Sequence, residues 1–179
     1  QQQLTPAARE ALEARAEAGD AESQYDLGVL YDHGGDFQQD FSDAAAWYRK
    51  AAEQGHIKAQ FNLGVMYEDG EGVEQDDTQA LEWYRLAAEQ GNPSAQINLG
   101  LMYANGRGTL EDDSQALEWY RRAAVQGDAD AQLSLGFMYD NGEGIAEDDT
   151  EAATWYRMAA EQGNAVAQFN LGSMHANGE

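Results

Sequence analysis

Apolar residues recur along this chain in two helical stripes per unit of 36 residues. In the unit from His56 to Gly91, Ala59, Leu63, Met66 and Tyr67 fall at helical spacing. Ala80, Trp83, Tyr84, Ala87 and Ala88 do so again after a polar interval. That interval, Glu68-Asp69-Gly70-Glu71-Gly72-Val73-Glu74-Gln75, carries glycines that break the first stripe. The pattern predicts a helix A at 57–68, an acidic glycine loop, a helix B at 77–90 and a very short turn. The start signals agree. Asp76 precedes Gln79 by three residues, as Asp112 precedes Gln115 and Asp148 precedes Glu151, so each pair reads as a capping box. Asn92 before Pro93 suits an N-cap followed by proline at the first helical position. Gly55, Gly91, Gly127 and Gly163 fall where helices end and a left-handed residue is needed.

The step never slips. Gly28, Gly64, Gly100, Gly136 and Gly172 are each 36 apart, and Trp47, Trp83, Trp119 and Trp155 keep the same interval. A unit this short lies below the roughly 40 residues an isolated core needs, so each must bury its apolar face against its neighbours. The self-similarity predicts an all-α solenoid of antiparallel helix pairs. Glycine inside a helix costs about 1 kcal/mol against alanine. Its return at position 64 and its equivalents implies a close backbone approach, with Ala80 and Ala87 as the small residues opposite.

Residues 1–19 are expected to form an N-terminal capping helix, and 20–179 the solenoid, in units 20–55, 56–91, 92–127, 128–163 and a partial 164–179. Within the cap, 4–18 reads as a degenerate helix B made polar by Arg9, Glu10, Glu13, Arg15 and Glu17. The first loop, Asp32-His33-Gly34-Gly35-Asp36-Phe37, departs from the others, and Phe41 replaces the second aspartate. The chain stops at Gly178-Glu179, inside a loop. Phe169, Leu171 and Met174 of the last helix A are therefore expected to be partly bare, as in a fragment of a longer protein or an edge that stacks on another molecule.

Ala59-Gln60, Leu63-Gly64, Met66-Tyr67, Gly70-x-Gly72-Val73, Asp76, Ala80, Trp83-Tyr84 and Ala87-Ala88-Glu89-Gln90-Gly91 together resemble the Sel-one-like repeat, a relative of the tetratricopeptide repeat. Leu63-Gly64-x₂-Tyr67 and Ala80-x₃-Tyr84 match the tetratricopeptide pattern, while Gln60 replaces its leading Trp and Gly91 its closing Pro. The resemblance implies a right-handed α-solenoid, with helix A lining the concave face, that acts as a protein-binding scaffold rather than an enzyme. Some Sel-one-like proteins are linked to β-lactam binding or hydrolysis. Those are cysteine-rich, whereas this chain has no cysteine and no S-x-x-K signature.

Charge narrows the partners. With 33 acidic against 10 basic residues, the net charge of −23 disfavours nucleic acid and an anionic membrane surface. It suits basic or neutral protein partners. No apolar run is long enough for membrane insertion. The absence of cysteine removes disulfides and thiolate zinc sites without placing the chain in a compartment. Opening on Gln1 rather than Met suits a trimmed or a processed chain, and the expected setting is a bacterial periplasm or exterior ahead of the cytoplasm.

No cofactor is expected. Asp76-Asp77, Asp112-Asp113 and Asp148-Asp149 lack the calcium-loop spacing and read as caps and helix-dipole partners. His33, His56 and His175 are scattered and stand beside no nucleophile. The Trp-Tyr pairs read as core. Positions that vary between units carry more information. On the helix-A face beside the stacking stripe, one unit presents Lys58, Asn62, Val65 and Asp69. The next presents Ser94, Asn98, Leu101 and Asn105, and the one after it Asp130, Ser134, Phe137 and Asn141. The last presents Val166, Asn170, Ser173 and Asn177, and the first Glu22, Asp26, Val29 and His33. Amides beside apolar residues are expected to hold a peptide in the groove of that concave face, the amides on its backbone and Val65, Leu101 and Phe137 as pockets. The alternative is end-to-end self-association through the C-terminal helix.

Overall fold

A computed structural model of the chain describes residues 5–34 and 38–177, without the side chains of His175 and Asn177. Leu4, the loop residues Gly35, Asp36 and Phe37, and Gly178-Glu179 lie outside the described residues. Two compact units divide the chain. The first, Gln1–Asn92, holds α1 (Pro6–Glu17), α2 (Ala21–His33), α3 (Phe41–Glu53), α4 (Ile57–Asp69) and α5 (Asp77–Glu89). The second, Pro93–Glu179, holds α6 (Pro93–Ala104), α7 (Asp113–Val125), α8 (Ala129–Asn141), α9 (Asp149–Glu161) and α10 (Ala165–Asn177). The described residues contain no strand. Even-numbered helices are the A helices of the sequence pattern. Odd-numbered ones from α3 onward are the B helices, and α1 precedes the first pair.

Helix starts follow from side-chain chemistry. Asp40, Asp76, Asp112 and Asp148 stand in extended backbone before the B helices and accept from amides two or three residues on, which satisfies otherwise orphaned donors. The reciprocal half of the capping box is not made at α5. The Asp76 N–H donates instead to Tyr67 O at 3.0 Å, as Asp112 N–H does to Tyr103 O and Asp148 N–H to Tyr139 O, both at 2.9 Å, which leaves Gln79 Nε2 to donate forward to Glu82 at 3.2 Å.

The close approach expected at Gly64 is present, but its partner is a ring. A Cβ on Gly64 would lie 2.6 Å from Tyr84 Cδ1, and one on Gly136 only 2.4 Å from Tyr156. Gly28 against Tyr48 and Gly100 against Tyr120 repeat the contact. Ala80 and Ala87 are fully buried, yet they are not what rests on the glycine.

A second tie joins a buried amide on each A helix from α2 to α8 to an exposed one at the end of its helix B. Gln60 Nε2 donates to Ala52 O at 3.1 Å, and Gln60 Oε1 accepts from Gln90 Nε2 at 2.7 Å. The same link joins Gln54 to Gln24, Gln126 to Gln96 and Gln162 to Gln132. Gln60, at the position of the tetratricopeptide tryptophan, thus closes its own helix pair through hydrogen bonds rather than bulk. Loops add a third tie. Gly72, at φ +71°, lies so close to α3 that a Cβ would fall 2.0 Å from the Phe41 carbonyl oxygen.

At α10, Phe169 is 74% exposed, as expected. Met174 is not bare: it is buried with Ala152, Tyr156 and Ala159 of α9, and Leu171 packs half-buried against the same cluster. Helix α4 meets α3 on one side and α5 on the other, as α8 meets α7 and α9, and Met174 lies on the side of α10 that meets α9. Gly172 differs from its equivalents, since a Cβ there would meet nothing within 4 Å.

That contrast gives a paired test. Gly64→Ala is expected to lose about 1–2 kcal/mol in urea unfolding, overpacking against Tyr84 outweighing the gain in helix propensity. Gly172→Ala should be neutral or stabilising by up to about 1 kcal/mol. Equal effects at both positions would mean the ring contact does not set the glycine.

Candidate functional site

The outer faces of the A helices carry the residues that vary between repeats. On α4, Lys58 is exposed with its Nζ 5.8 Å from the Tyr25 ring centroid. Val65 is half-buried, and Asp69 is exposed at the helix end. Asn62 is half-buried and points inward, its amide lying against the Tyr48 hydroxyl, where it favours the ionised phenol. In the second unit, Leu101 on α6 is 47% exposed and Phe137 on α8 is 39% exposed. Phe137 meets Tyr156 edge-on, with centroids 5.8 Å apart. Asn98 is half-buried.

Asn105 and Asn141 are exposed, and each amide nitrogen donates to its own helix four residues back, to Leu101 O at 2.7 Å and Phe137 O at 2.9 Å. The carbonyls of both apolar residues are thereby occupied, and the side-chain amides are held beside Leu101 and Phe137. Ser134 Oγ likewise donates to Asp130 O at 2.9 Å. Asn170 lies against the Tyr156 hydroxyl, yet its buried Nδ2 completes no hydrogen bond of good geometry among the described residues. The fourth position of α10, Asn177, lies outside the described side chains.

The helix-B tyrosines organise this face from beneath. Tyr48 donates to Asp32 at 3.0 Å, Tyr84 to Glu68 at 2.6 Å and Tyr156 to Asp140 at 3.1 Å. Burial pushes the Tyr48 and Tyr156 hydroxyls well above the ordinary phenol value, and the neighbouring carboxylate adds to the shift. The sequence pattern did not show these pairs, because the partners sit sixteen residues apart on different helices. Their register, an acid before the loop and Tyr in the WY pair, was the available signal.

His56 was also missed as a structural group. It N-caps α4, its Nδ1 accepting from Ala59 N at 3.2 Å. The proton then belongs on Nε2, 3.1 Å from Glu22, and the ring stacks on Tyr25 at 4.6 Å. Its signal was register, since it occupies the capping position held by Asp20 and Asp128. The first aspartate of each loop pair is accounted for as a cap. Among the described residues no three His, Asp or Glu side chains converge as metal ligands, and no helix is long and apolar enough to cross a membrane. The Trp rings pack into the helix pairs, with the Nε1 atoms of Trp83, Trp119 and Trp155 buried and unpaired among the described residues.

Antiparallel helix pairs repeating in strict register define a helical-repeat protein. The Sel1 repeat profile matches residues 21–56, 57–92, 93–128, 129–164 and 165–179, and the chain belongs to that family. Sel1 repeats are generally protein-interaction modules. A protective antigen of uropathogenic Escherichia coli with the same repeat fold is 44% identical, at a TM-score of 0.90 over 94% of this chain. This chain spans 36% of that protein's length. A Sel1 repeat protein of Oxalobacter formigenes is 40% identical, with a TM-score of 0.85, 96% of this chain and 67% of that one covered. Cysteine-rich protein B of Helicobacter pylori shares the fold at 24% identity and a TM-score of 0.58, over 77% of this chain and 99% of its own. No curated protein matches the chain.

The buried tyrosines predict alkaline sensitivity. Their folded values lie above the unfolded 10.0, so the stability they contribute is complete below pH 10.0 and is lost as pH rises toward the folded values. Unfolding free energies from urea titrations should be flat from pH 8 to 9.5 and fall above 10, by about 1.4 kcal/mol per pH unit for each such tyrosine. Tyr156→Phe should flatten that decline. An unchanged slope in the variant would show that Tyr156 does not carry the linkage.

Proposed function

We propose that this chain is a non-enzymatic interaction scaffold that binds a protein or peptide segment along the outer faces of its A helices. The observation that carries the reading is the pair Leu101 and Phe137. Both are large, apolar and exposed, they recur in register, and each is flanked by an asparagine fixed to its own carbonyl. Apolar anchors beside oriented amides suit an extended segment, whose side chains need pockets and whose backbone needs partners. Lys58, Asn62, Val65 and Asp69 are the equivalent positions on α4 of the first unit, and Asn98, Ser134 and Asn170 are the amide and hydroxyl positions of the second. The net charge of −23 favours a basic or neutral segment.

Affinity capture followed by cross-linking mass spectrometry tests this. Captured protein should cross-link near 101 and 137, and Leu101→Glu with Phe137→Glu should abolish capture while leaving the melting temperature within a few degrees. Capture undiminished in that folded double variant would overturn the assignment.

A second reading, end-to-end association through α10, draws on Phe169 and Val166, which are 74% and 49% exposed on one helix. It predicts a molar mass by light scattering that rises with concentration and returns to one chain in Phe169→Glu. A constant single-chain mass across the range would exclude it.

A further inference from the structure

Tyr120 is the exception among the helix-B tyrosines. Where Asp32, Glu68 and Asp140 supply carboxylates to the other three, the register places Ala104. Where Asn62 and Asn170 lie against the hydroxyls of Tyr48 and Tyr156, it places Ser134, whose proton goes to Asp130 O. Both partners have been exchanged for smaller residues around the same phenol. Tyr120 is only 4% exposed, and among the described residues its hydroxyl makes no counterpart of the carboxylate bond that the other three make. That oxygen is not sealed from solvent as the unpaired Nε1 atoms of Trp83 and Trp119 are, so it stays open to a donor from outside.

The exchange leaves space. A cleft of about 160 Å³ opens beside Tyr120, lined by Ala104, Ser134, Phe137, Met138 and the carboxylate-bearing Asp113 and Glu143. All of it lies within the second unit. Its volume is close to the roughly 150 Å³ of a cavity that holds one benzene-sized guest, and well under the roughly 300 Å³ at which pockets for drug-sized ligands begin. Its chemistry is one-sided: two carboxylates and the oxygens of Tyr120 and Ser134 can accept, Phe137 offers a ring, and no cationic side chain lines it. Two carboxylates are too few to ligate a divalent ion in the way protein sites do.

We propose that this cleft is an anchor site for a basic side chain of a protein partner, an arginine guanidinium. A planar fork of N–H donors can bond a carboxylate and a phenol oxygen together while stacking on an aromatic face, which a compact ammonium does less well. Burial, aided by the Glu143 charge, pushes the Tyr120 hydroxyl up to about 12, so it stays neutral at physiological pH and keeps its lone pairs for the incoming donor. The source of the arginine rests on the protein-binding reading above; the cleft itself is tested without any partner.

Isotope-labelled protein titrated with N-acetyl-arginine amide, in about 0.15 M salt to screen loose pairing, reads the site directly. The expected result is a saturable set of backbone shifts centred on 104, 120, 134 and 137, absent with the neutral near-isostere N-acetyl-citrulline amide. Ala104→Glu with Ser134→Asn restores the partners present in the other repeats and fills the cleft. It should keep or raise the melting temperature and weaken arginine binding about tenfold or more, although it adds a negative charge. Glu143→Gln, on an exposed loop, should weaken binding without changing the melting temperature. Citrulline binding as well as arginine, or both variants binding like the parent, would overturn the proposal. Because no partner enters the titration, its failure leaves the helix-face reading standing, and failed capture leaves the cleft standing.

Discussion

Each stacked tyrosine ring rests on a glycine of the A helix before it, and the spacing of the helix pairs follows from that contact. A methyl group at Gly64 would sit 2.6 Å from the Tyr84 ring, so only glycine lets the two elements reach their observed distance. Once the rings of Tyr48, Tyr84 and Tyr156 are seated, each hydroxyl reaches a carboxylate at the far end of the same A helix, as Tyr84 reaches Glu68. The ring therefore fixes both where the helices cross and how far along each other they slide. The half-buried glutamine link between Gln60 and Gln90 then completes the pair with an uncharged hydrogen bond.

Reserving those positions for packing separates construction from recognition. Glycine, tyrosine, glutamine and the capping aspartates cannot vary without disturbing the stack, whereas the outer positions of the A helices can. The separation is incomplete. Asn62 and Asn170 belong to the variable face by spacing, yet they lie against tyrosine hydroxyls beneath it. A residue there is read from both sides, by the core tyrosine and by whatever docks outside. At Tyr120 the inner half of that arrangement has been given up, and a cleft has appeared.

The period, the helix boundaries and the aspartate caps were legible in the sequence because each depends on residues close together in the chain. Helix α4, Ile57–Asp69, and α5, Asp77–Glu89, fall within a residue or so of the ends that spacing predicts. Gly64 announced a close approach but not its partner, because spacing within one helix does not say which side chain of another will lie on it. Gln60 read as a departure from a tryptophan pattern, and its role emerged only when the amide was seen between Ala52 and Gln90. The variable face was legible as a list of positions. That Asn62 turns inward while Leu101 stays out depends on side-chain direction, which the heptad-like count does not carry. Met174 shows the same limit, since α9 covers a residue that helical spacing alone did not assign to that side of α10.

The hydrogen bonds that tie these elements together span 16, 30 and 35 positions of the chain. Closing such short loops costs little entropy, and neighbouring pairs can form before distant ones exist. Mechanically, the consequence is a molecule that yields in instalments. Tension applied at its ends would strip one helix pair from the next, each release of 36 residues adding about 120 Å of extended chain. A partner gripping only two adjacent pairs would hold its place while the rest of the chain lengthened like a worked spring.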